Sequence, residues 1–530
     1  MPVDLVTLPA INRRAPRSGT PGRAKVGCAV VDFTPPKAFD LSGYSLAGKR
    51  AVGIGSRLRV FCAYLEDPLG RAAAWVSGDL HSGTRYLFER TAALTAAATP
   101  IGVGNLLFSG THTHTGPGQF YGNALYDLVT TPFVLSTHPG FRAEIADNIA
   151  GAAARAVALA YDQASSLSGR VQVGYAESIC WGYAHNRSAA AFDLNPEAPN
   201  WPEALGVPAP PALADPAAAK IDPRVRVLTV SRDGRLVLLH AIVGCHATAL
   251  GAAYDRYHPD WPGYARDAAR DALGAQGVGA LVTVVQSGAG DVNALVGNVP
   301  GSVALAEQTG RTVGRAIAEA ALRAQATARD LQEVEARFSE VGVEEKGPPS
   351  APLAARWAFG LPTLGGSEES PSPFYGEGRT GSEFDQSDPP QSPKKSAAAV
   401  FSTIVPALYA KLDPSPVWPL SALRLNQRWF LGVPFEPTGT AALRLQRGLD
   451  RRFPNETHTV VGYTGDYHGY LTTPEEYRAQ HYEGASTIWG KNSLVHLSTA
   501  LEALMTAAPP VRYEPVRMRT VVRDEMNEPF

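Results

Sequence analysis

The stretch 105-NLLFSGTHTHTGPG-118 places a short apolar run directly before two histidines that are one residue apart. The apolar run is typical of a buried strand, and strand ends are where α/β proteins carry their chemistry. If the chain stays extended beyond the run, side chains alternate, so His112 and His114 leave the same face. Two imidazoles on one face are two metal ligands, a metal ligand with a proton-transfer partner, or a chance pair.

The composition of the 530-residue chain is that of an ordinary folded protein. Hydrophobic residues make up 45% of it and charged residues 18%, which suits one large domain or two ordinary ones. A net charge of −2 gives no electrostatic reason to expect nucleic acid as a partner. The four cysteines form no Cys-x-x-Cys pair, which argues against a disulfide framework and against a cysteine zinc site.

The N-terminal segment lacks the apolar core of a signal peptide, because prolines and arginines occupy the positions where it would lie. No stretch approaches the length of apolar sequence that a membrane span needs. These two features predict a cytoplasmic protein with no membrane span.

Strand-like and helix-like segments alternate along the chain, which predicts an α/β fold. Apolar residues at helical spacing predict helices over 141–164, 261–273 and 303–325. Residues 224–246 predict a hairpin with its turn at Asp233-Gly234. The segment SGAGDVN begins like a dinucleotide-binding loop, but Asn293 stands at its third glycine position, so no such site is predicted.

The composition of the sequence changes between residues 346 and 395, where proline, glycine and serine dominate. So long an irregular insertion is typical of a lid, a binding loop or a surface excursion. Four aromatic residues within it favour a partly ordered cap over a pocket: Trp357, Phe359, Phe374 and Tyr375.

Two further polar residues end apolar strands, His246 in AIVGCHATALG and Glu436 in FLGVPFEPTG. Together with His112 they supply the two histidines and one carboxylate that catalytic zinc sites commonly use. Each also has a structural interpretation, since a strand-end histidine is often hydrogen-bonded and Glu436 could stabilise the following helix N-terminus. Spacing along the chain does not decide between these alternatives.

Several segments, in the same order, resemble the neutral (non-lysosomal) ceramidase family. They are SGTHTHTGPG, HNRS, GCH, GDVN, PFEPTG and YLTTPEEYRAQHYEGAST, with the opening VGCAVVDFTPPKAFDLSGY. The resemblance runs from about Lys25 to Leu504 and implies an α/β catalytic domain of mixed β-sheets flanked by helices. We assign residues 25–510 to this domain, with the insertion at 346–395, an N-terminal extension over 1–24 and a C-terminal tail over 511–530.

The resemblance also implies roles for individual residues. It implies four ligands for a Zn²⁺ ion: His112, His246, Glu436 and Tyr470. It implies three residues that polarise the scissile amide or move its protons: His114, Arg187 and Tyr482. Two further residues are expected to bind substrate: Asn293 and Asp260.

The function that follows from the resemblance is zinc-dependent hydrolysis of an N-acyl amide, a small or lipid-like molecule, with zinc-bound water as the nucleophile. Acyl transfer, intramolecular condensation in a biosynthetic pathway, and an inactive metal- or lipid-binding relative are the alternatives. Asn293 stands where the family has the serine of its Gly-Asp-x-Ser motif, and an amide cannot act as nucleophile or base. The family's C-terminal β-sandwich domain and an export signal are expected to be absent, so the substrate need not be a sphingolipid.

Overall fold

The computed structural model of the protein describes residues 4–132, 140–275, 277, 279–294, 301–343, 350–372, 390–397, 412, 414–507 and 509–522. Three mixed β-sheets dominate this part of the chain, and we name them by their order along it. The first sheet comprises, from one edge to the other, Lys25–Asp32, Arg59–Glu66, Ala72–Gly78 and Leu106–Gly110. The second comprises, likewise from edge to edge, Leu281–Gln286, Arg235–Val243, Arg224–Arg232, Val171–Ile179 and Arg329–Asp330. The third comprises Val334–Gly342, Val417–Leu425, Arg428–Gly432 and Thr457–Val461, which lie side by side in that order.

Short strand pairs and helices complete the described fold. The pairs are Asp4–Thr7 with Arg519–Val522, Gly53–Ile54 with Arg256–Tyr257, Ala184–Asn186 with Val292–Ala294, and Glu436–Pro437 with Tyr470–Leu471. The α-helices are Arg85–Thr95, Ala124–Val129, Ala143–Ser166, Ala189–Phe192, Trp201–Leu205, Asp260–Gly274, Val303–Ala326, Leu361–Gly365, Gly439–Arg452, Pro474–Ala479, Tyr482–Ser486 and Ser493–Thr506. Short 3₁₀ turns span Ser45–Ala47, Ala198–Asn200 and Pro216–Ala219.

The three sheets share one apolar cluster, to which each contributes buried side chains such as Trp75, Ile242 and Phe430. Helix Ala143–Ser166 covers the first sheet, and helix Val303–Ala326 packs against the second together with helix Asp260–Gly274. Burying apolar side chains between these layers is the main source of stability in such an arrangement. The predicted α/β fold of mixed sheets flanked by helices is therefore confirmed.

The elements with the strongest sequence signals form as predicted. The three helices predicted from apolar spacing run over Ala143–Ser166, Asp260–Gly274 and Val303–Ala326, each within a few residues of the expected bounds. The predicted hairpin also forms, and both of its turn residues have positive φ, 49° for Asp233 and 76° for Gly234. A two-residue turn of this kind matches the twist of the strands it joins and favours an Asp-Gly pair.

The two ends of the chain are joined to each other. Asp4–Thr7 pairs antiparallel with Arg519–Val522, so the segments assigned as N-terminal extension and C-terminal tail form one small sheet. Arg13 fixes the N-terminal segment to the body of the protein through an ion pair with Glu89, and both side chains are buried. A buried ion pair is costly to break, so this segment is part of the folded structure.

The structure describes the irregular insertion over 350–372 and 390–397. Buried Lys394 donates hydrogen bonds to the carbonyl oxygens of Ala358, at 2.9 Å, and Thr487, at 2.8 Å, which ties the insertion to the domain. Phe374 and Tyr375 lie outside the described residues. In the described chain, no helix combines the length and the apolar character that crossing a membrane requires.

Candidate metal centre and active site

Three buried side chains converge on one point. The Nε2 atom of His112 lies 3.2 Å from Oε2 of Glu436, and Nε2 of His246 lies 3.1 Å from the same oxygen. A backbone carbonyl orients each imidazole through its Nδ1 atom. Nδ1 of His112 lies 2.8 Å from the carbonyl oxygen of His81. Nδ1 of His246 lies 2.6 Å from that of Ala289. With Nδ1–H donating, the Nε2 lone pairs point at the carboxylate, which is the arrangement of a metal-binding site.

Each of these three residues comes from a different sheet. His112, His246 and Glu436 follow the strands Leu106–Gly110, Arg235–Val243 and Arg428–Gly432 within a few residues. Each strand pairs in parallel with a neighbour in its own sheet. The carboxyl ends of parallel strands are where α/β folds place ligand sites, and here three such ends meet.

The local geometry of the His-x-His pair differs from that of an extended segment. His112 has φ of +66°, in the left-handed region, so the strand ends before it. The alternation argument for a shared face is therefore wrong. The two histidines nevertheless meet, with their Nε2 atoms 3.3 Å apart, because the chain turns sharply at His112.

The charge states of the cluster suit a cation. Burial opposes ionisation of Glu436, but the facing imidazoles of His112 and His246 outweigh it and hold the pKa of that carboxyl well below its usual range. Burial lowers the pKa of His246, with the nearby Arg187 guanidinium acting in the same direction. An ionised Glu436 carboxylate beside a neutral His246 imidazole is a protonation state that suits metal binding.

Arg187 is buried beside the cluster, and all three of its side-chain nitrogens donate hydrogen bonds. Its Nη2 atom donates to the hydroxyl of Tyr470, at 2.9 Å, and to the carbonyl oxygen of Gly290, at 2.7 Å, while Nε donates to Glu483, at 2.8 Å. Tyr470 itself pairs with Glu436 across two short parallel strands. Arg187 therefore positions Tyr470 beside the metal-binding cluster.

Asn293 connects Arg187 to the irregular insertion. Its side-chain oxygen accepts from Nη1 of Arg187, at 3.2 Å, and its amide nitrogen donates to Oε2 of Glu369, at 2.7 Å. Nη1 of Arg187 also donates to Glu369. Asn293 thus lies in the site, facing a carboxylate of the same chain.

A cavity of about 120 Å³ adjoins the cluster. Polar side chains that line it include His81, His114, Glu436, Tyr470 and Tyr482. Apolar side chains line other parts of it: Leu46, Val129, Phe359 and Leu364. The last two belong to the insertion, which agrees with the expectation of a cap over a pocket.

The comparisons with known proteins agree with this geometry. The family described as neutral/alkaline non-lysosomal ceramidase, N-terminal, matches residues 25–310 and 383–498. The chain belongs to this ceramidase family. It is 26% identical over 533 residues to the neutral ceramidase of Mycobacterium tuberculosis, covering 91% of this chain and 76% of the relative. It is 28% identical to that of Pseudomonas aeruginosa, covering 88% and 69%.

A solved structure shares the ceramidase fold. The crystal structure of neutral ceramidase from Pseudomonas aeruginosa matches with a TM-score of 0.71 at 22% identity, over 92% of this chain and 74% of that one. A structure described as ceramidase complexed with C2 matches with the same TM-score, 0.71, at 23% identity. The resemblance predicted from the sequence motifs is thereby confirmed, and so is the fold that it implied.

Most residues expected at the site lie together, but Asp260 does not line the cavity. Its buried carboxylate accepts hydrogen bonds from the backbone amides of Ala249, at 3.2 Å, and Leu250, at 3.0 Å. These bonds hold the segment that follows His246, and burial raises the pKa of Asp260 to about 6. These contacts give Asp260 a positioning role for the segment after His246, and its assignment to substrate binding stays a prediction.

Several site residues were missed from the sequence. His81 lies beside both histidines of the His-x-His pair, with its ring centroid 4.4 Å from that of His112 and 5.0 Å from that of His114. Tyr463 and Tyr467 both donate hydrogen bonds to the Glu436 carboxylate. The position of His81 just after strand Ala72–Gly78 is a signal that could have found it, because His112 and His246 also follow strands.

Proposed function

We propose that the protein is a zinc-dependent hydrolase of N-acyl amides. The observation that carries the proposal is the convergence of His112 and His246 on one carboxylate oxygen of Glu436, in a chain of the ceramidase family. Two histidines and a carboxylate are a common ligand set of catalytic zinc, and Tyr470 is proposed as the fourth ligand. When bound there, zinc would polarise the amide carbonyl and acidify water.

His114 is proposed to move the protons of the reaction. It lines the cavity, and its Nδ1 atom has no hydrogen-bond partner within the described chain. Burial, followed by the nearby His112, lowers the pKa of His114 well below its usual value, so the imidazole is neutral at pH 7. A neutral imidazole first accepts the proton of the attacking water and then passes it to the amine that leaves as the C–N bond breaks. His114 therefore acts first as a base and then as an acid. The sequence-based expectation of a pKa near neutrality had instead made it a proton donor from the start.

Tyr482 and Arg187 are proposed to stabilise the negative charge that develops on the carbonyl oxygen. Tyr482 lines the cavity, and the Arg187 guanidinium lies 5.4 Å from its ring centroid. Burial raises the pKa of Tyr482, so its hydroxyl keeps the proton that it would donate to an oxyanion. Arg187 already donates to Tyr470 and two carboxylates, so its contribution is to orient these groups and supply positive charge.

Acyl transfer is the second candidate function. The insertion contributes Phe359, Leu364 and Ser370 to the cavity wall, and a covered site can keep water from an acyl group while an amine attacks it. Analysis of products separates the two functions: hydrolysis releases a free acid and an amine, whereas transfer gives a new amide when a second amine is added. An inactive relative would bind metal and turn over neither.

The testing experiment incubates the zinc-loaded protein with N-acyl amides and measures the amine released. We expect turnover by the wild type and its loss in His112→Ala, together with the metal. Glu475→Gln, which alters a carboxylate paired with Arg444 away from the cavity, is the matched control and should keep both activity and metal. A wild type that binds zinc but cleaves no acyl amide would refute the proposal.

A cytoplasmic location is proposed as well, and cell fractionation checks it.

A further inference from the structure

Within its described residues, the insertion approaches the active site through Phe359 and the segment Gly360–Ser372, which we call the cap. It includes helix Leu361–Gly365, and Leu364 and Ser370 line the cavity. The cap is joined to the domain at its start, where the backbone amide of Gly360 donates to the carbonyl oxygen of Ala485 at 2.8 Å. It lies between the two stretches that match the ceramidase family, 25–310 and 383–498.

The cap carries a carboxylate that reaches into the site. The Glu369 side chain is only 3% exposed, and it accepts hydrogen bonds from both Arg187 and Asn293, the latter at 2.7 Å. Its neighbour Glu368 is 33% exposed, interacts with His185 and accepts a longer hydrogen bond from Asn293, at 3.3 Å. Hydrogen bonds between a guanidinium and a buried carboxylate are among the strongest side-chain contacts. Glu369 is thus the strongest contact of the cap with the residues beside the metal-binding cluster.

We propose that Glu369 is a specificity-determining residue: it latches the cap over the cavity and restricts the substrate to N-acyl amides with a short acyl group. This inference rests on the proposed function. The cavity beneath the latched cap measures about 120 Å³. A cavity of roughly 150 Å³ holds a single benzene ring, so a short acyl group fits inside this cavity, whereas a long one would have to extend beyond it. Phe359 and Leu364 form the wall that a longer chain would have to displace.

Substitution of Glu369 by glutamine is the most direct perturbation. Glutamine keeps the size of the side chain but removes the charge, and only one of its two terminal atoms accepts a hydrogen bond. Arg187 or Asn293 then loses one of its acceptors, and the cap is held less tightly. Glu368→Gln is the matched control, since it removes one negative charge from the same segment and leaves the contact with Arg187 intact.

The experiment compares amides of one amine with acyl groups from acetyl to palmitoyl. For the wild type we expect kcat/KM to fall steeply beyond butyryl. In Glu369→Gln the palmitoyl-to-butyryl ratio of kcat/KM should rise roughly tenfold or more, as expected when a charged hydrogen bond is lost. In Glu368→Gln the ratio should stay that of the wild type. Amide hydrogen exchange over residues 361–372 should be faster in Glu369→Gln than in the wild type.

The outcomes distinguish the latch from the proposed function. A wild type that prefers palmitoyl, or a Glu369→Gln variant with an unchanged ratio and unchanged exchange, overturns the latch and leaves amide hydrolysis standing. If the wild type cleaves no amide, the proposed function fails, and the exchange measurement alone decides whether Glu369 holds the cap. Should Glu369→Gln not fold, Glu369→Asp keeps the charge on a shorter side chain and must loosen the cap in the same direction.

Discussion

Substitution of His246 and of His81 decides which of two buried clusters holds the metal. One cluster is His112, His246 and Glu436, and the other is His81, His112 and His114; in each, the candidate ligand atoms lie within 4.8 Å of one another. We predict that His246→Ala loses the metal and that His81→Ala keeps it. The reason is orientation, because Nδ1 of both His112 and His246 is fixed by a backbone carbonyl, whereas His114 has no such partner in the described chain.

The size of the effect follows from the number of ligands. Structural zinc sites contribute about 10–16 kcal/mol, which is roughly 2.5–4 kcal/mol for each of four ligands. Loss of the His246 imidazole should therefore weaken zinc binding by roughly 60- to 700-fold, at about 1.4 kcal/mol per factor of ten. His81 makes a hydrogen bond of 2.8 Å with the Tyr121 hydroxyl. Its removal should cost about 1 kcal/mol of folding stability and leave zinc affinity nearly unchanged.

The assay is competition between the protein and a chelator of known zinc affinity, followed by the zinc content of the dialysed protein. His112→Ala serves as the positive control, because it removes a ligand common to both clusters. Circular dichroism of each variant without metal shows whether the fold is kept. If the His81→Ala variant contained no zinc and the His246→Ala variant kept its full zinc content, the metal would belong to the three-histidine cluster. The ligand assignment would then be wrong.

Three further predictions concern residues around the cluster. His114→Ala should bind zinc as the wild type does and lose activity, so an emptied variant would contradict its assignment as a proton carrier. Asn293→Ala should lower kcat/KM by roughly 5- to 150-fold, the range for one or two buried hydrogen bonds, and a covalent acyl-enzyme trapped on any residue would contradict a water nucleophile. Burial lowers the pKa of His258 to about 4. The folded protein therefore favours neutral His258, and this stabilisation is complete above the unfolded pKa of about 6.5. It is lost as the pH falls towards 4, and the loss is about 2 kcal/mol at pH 5. His258→Gln should show a correspondingly smaller drop in the urea midpoint between pH 7 and 5.

Periodicity predicted the main elements because each buries one continuous face. Helix Ala143–Ser166 buries residues at helical spacing along its whole length, among them Ile145, Ile149 and Val157. The hairpin turn at Asp233-Gly234 was predictable for a local reason, since both residues adopt the positive φ that such a turn requires. Signals of this kind need no knowledge of the rest of the chain, and these elements form within a few residues of their expected bounds.

The candidate metal centre was only partly predictable, because its members are far apart in the sequence. Strand ends singled out His112, His246 and Glu436 one at a time, but their convergence depends on how three separate sheets meet. Asp79 shows the limit of the same signal. It also follows a strand, yet its carboxylate is buried in a bidentate ion pair with Arg266, at 2.7 and 3.0 Å, and is part of the structural frame. A strand-end acid is therefore a candidate until its partners are known.

Glu369 could not be predicted from the sequence at all, and the reason is physical. The segment GGSEESPS has no periodicity, and two adjacent glutamates in it are most simply interpreted as a solvated surface. What removes Glu369 from water is a guanidinium 182 positions away, which can compensate for the cost of burying its charge only after the domain has folded. A residue whose burial depends on one distant partner leaves no local pattern. Its interpretation as part of the site therefore depends on the contact with Arg187, and the charge-removing Glu369→Gln substitution tests that contact directly.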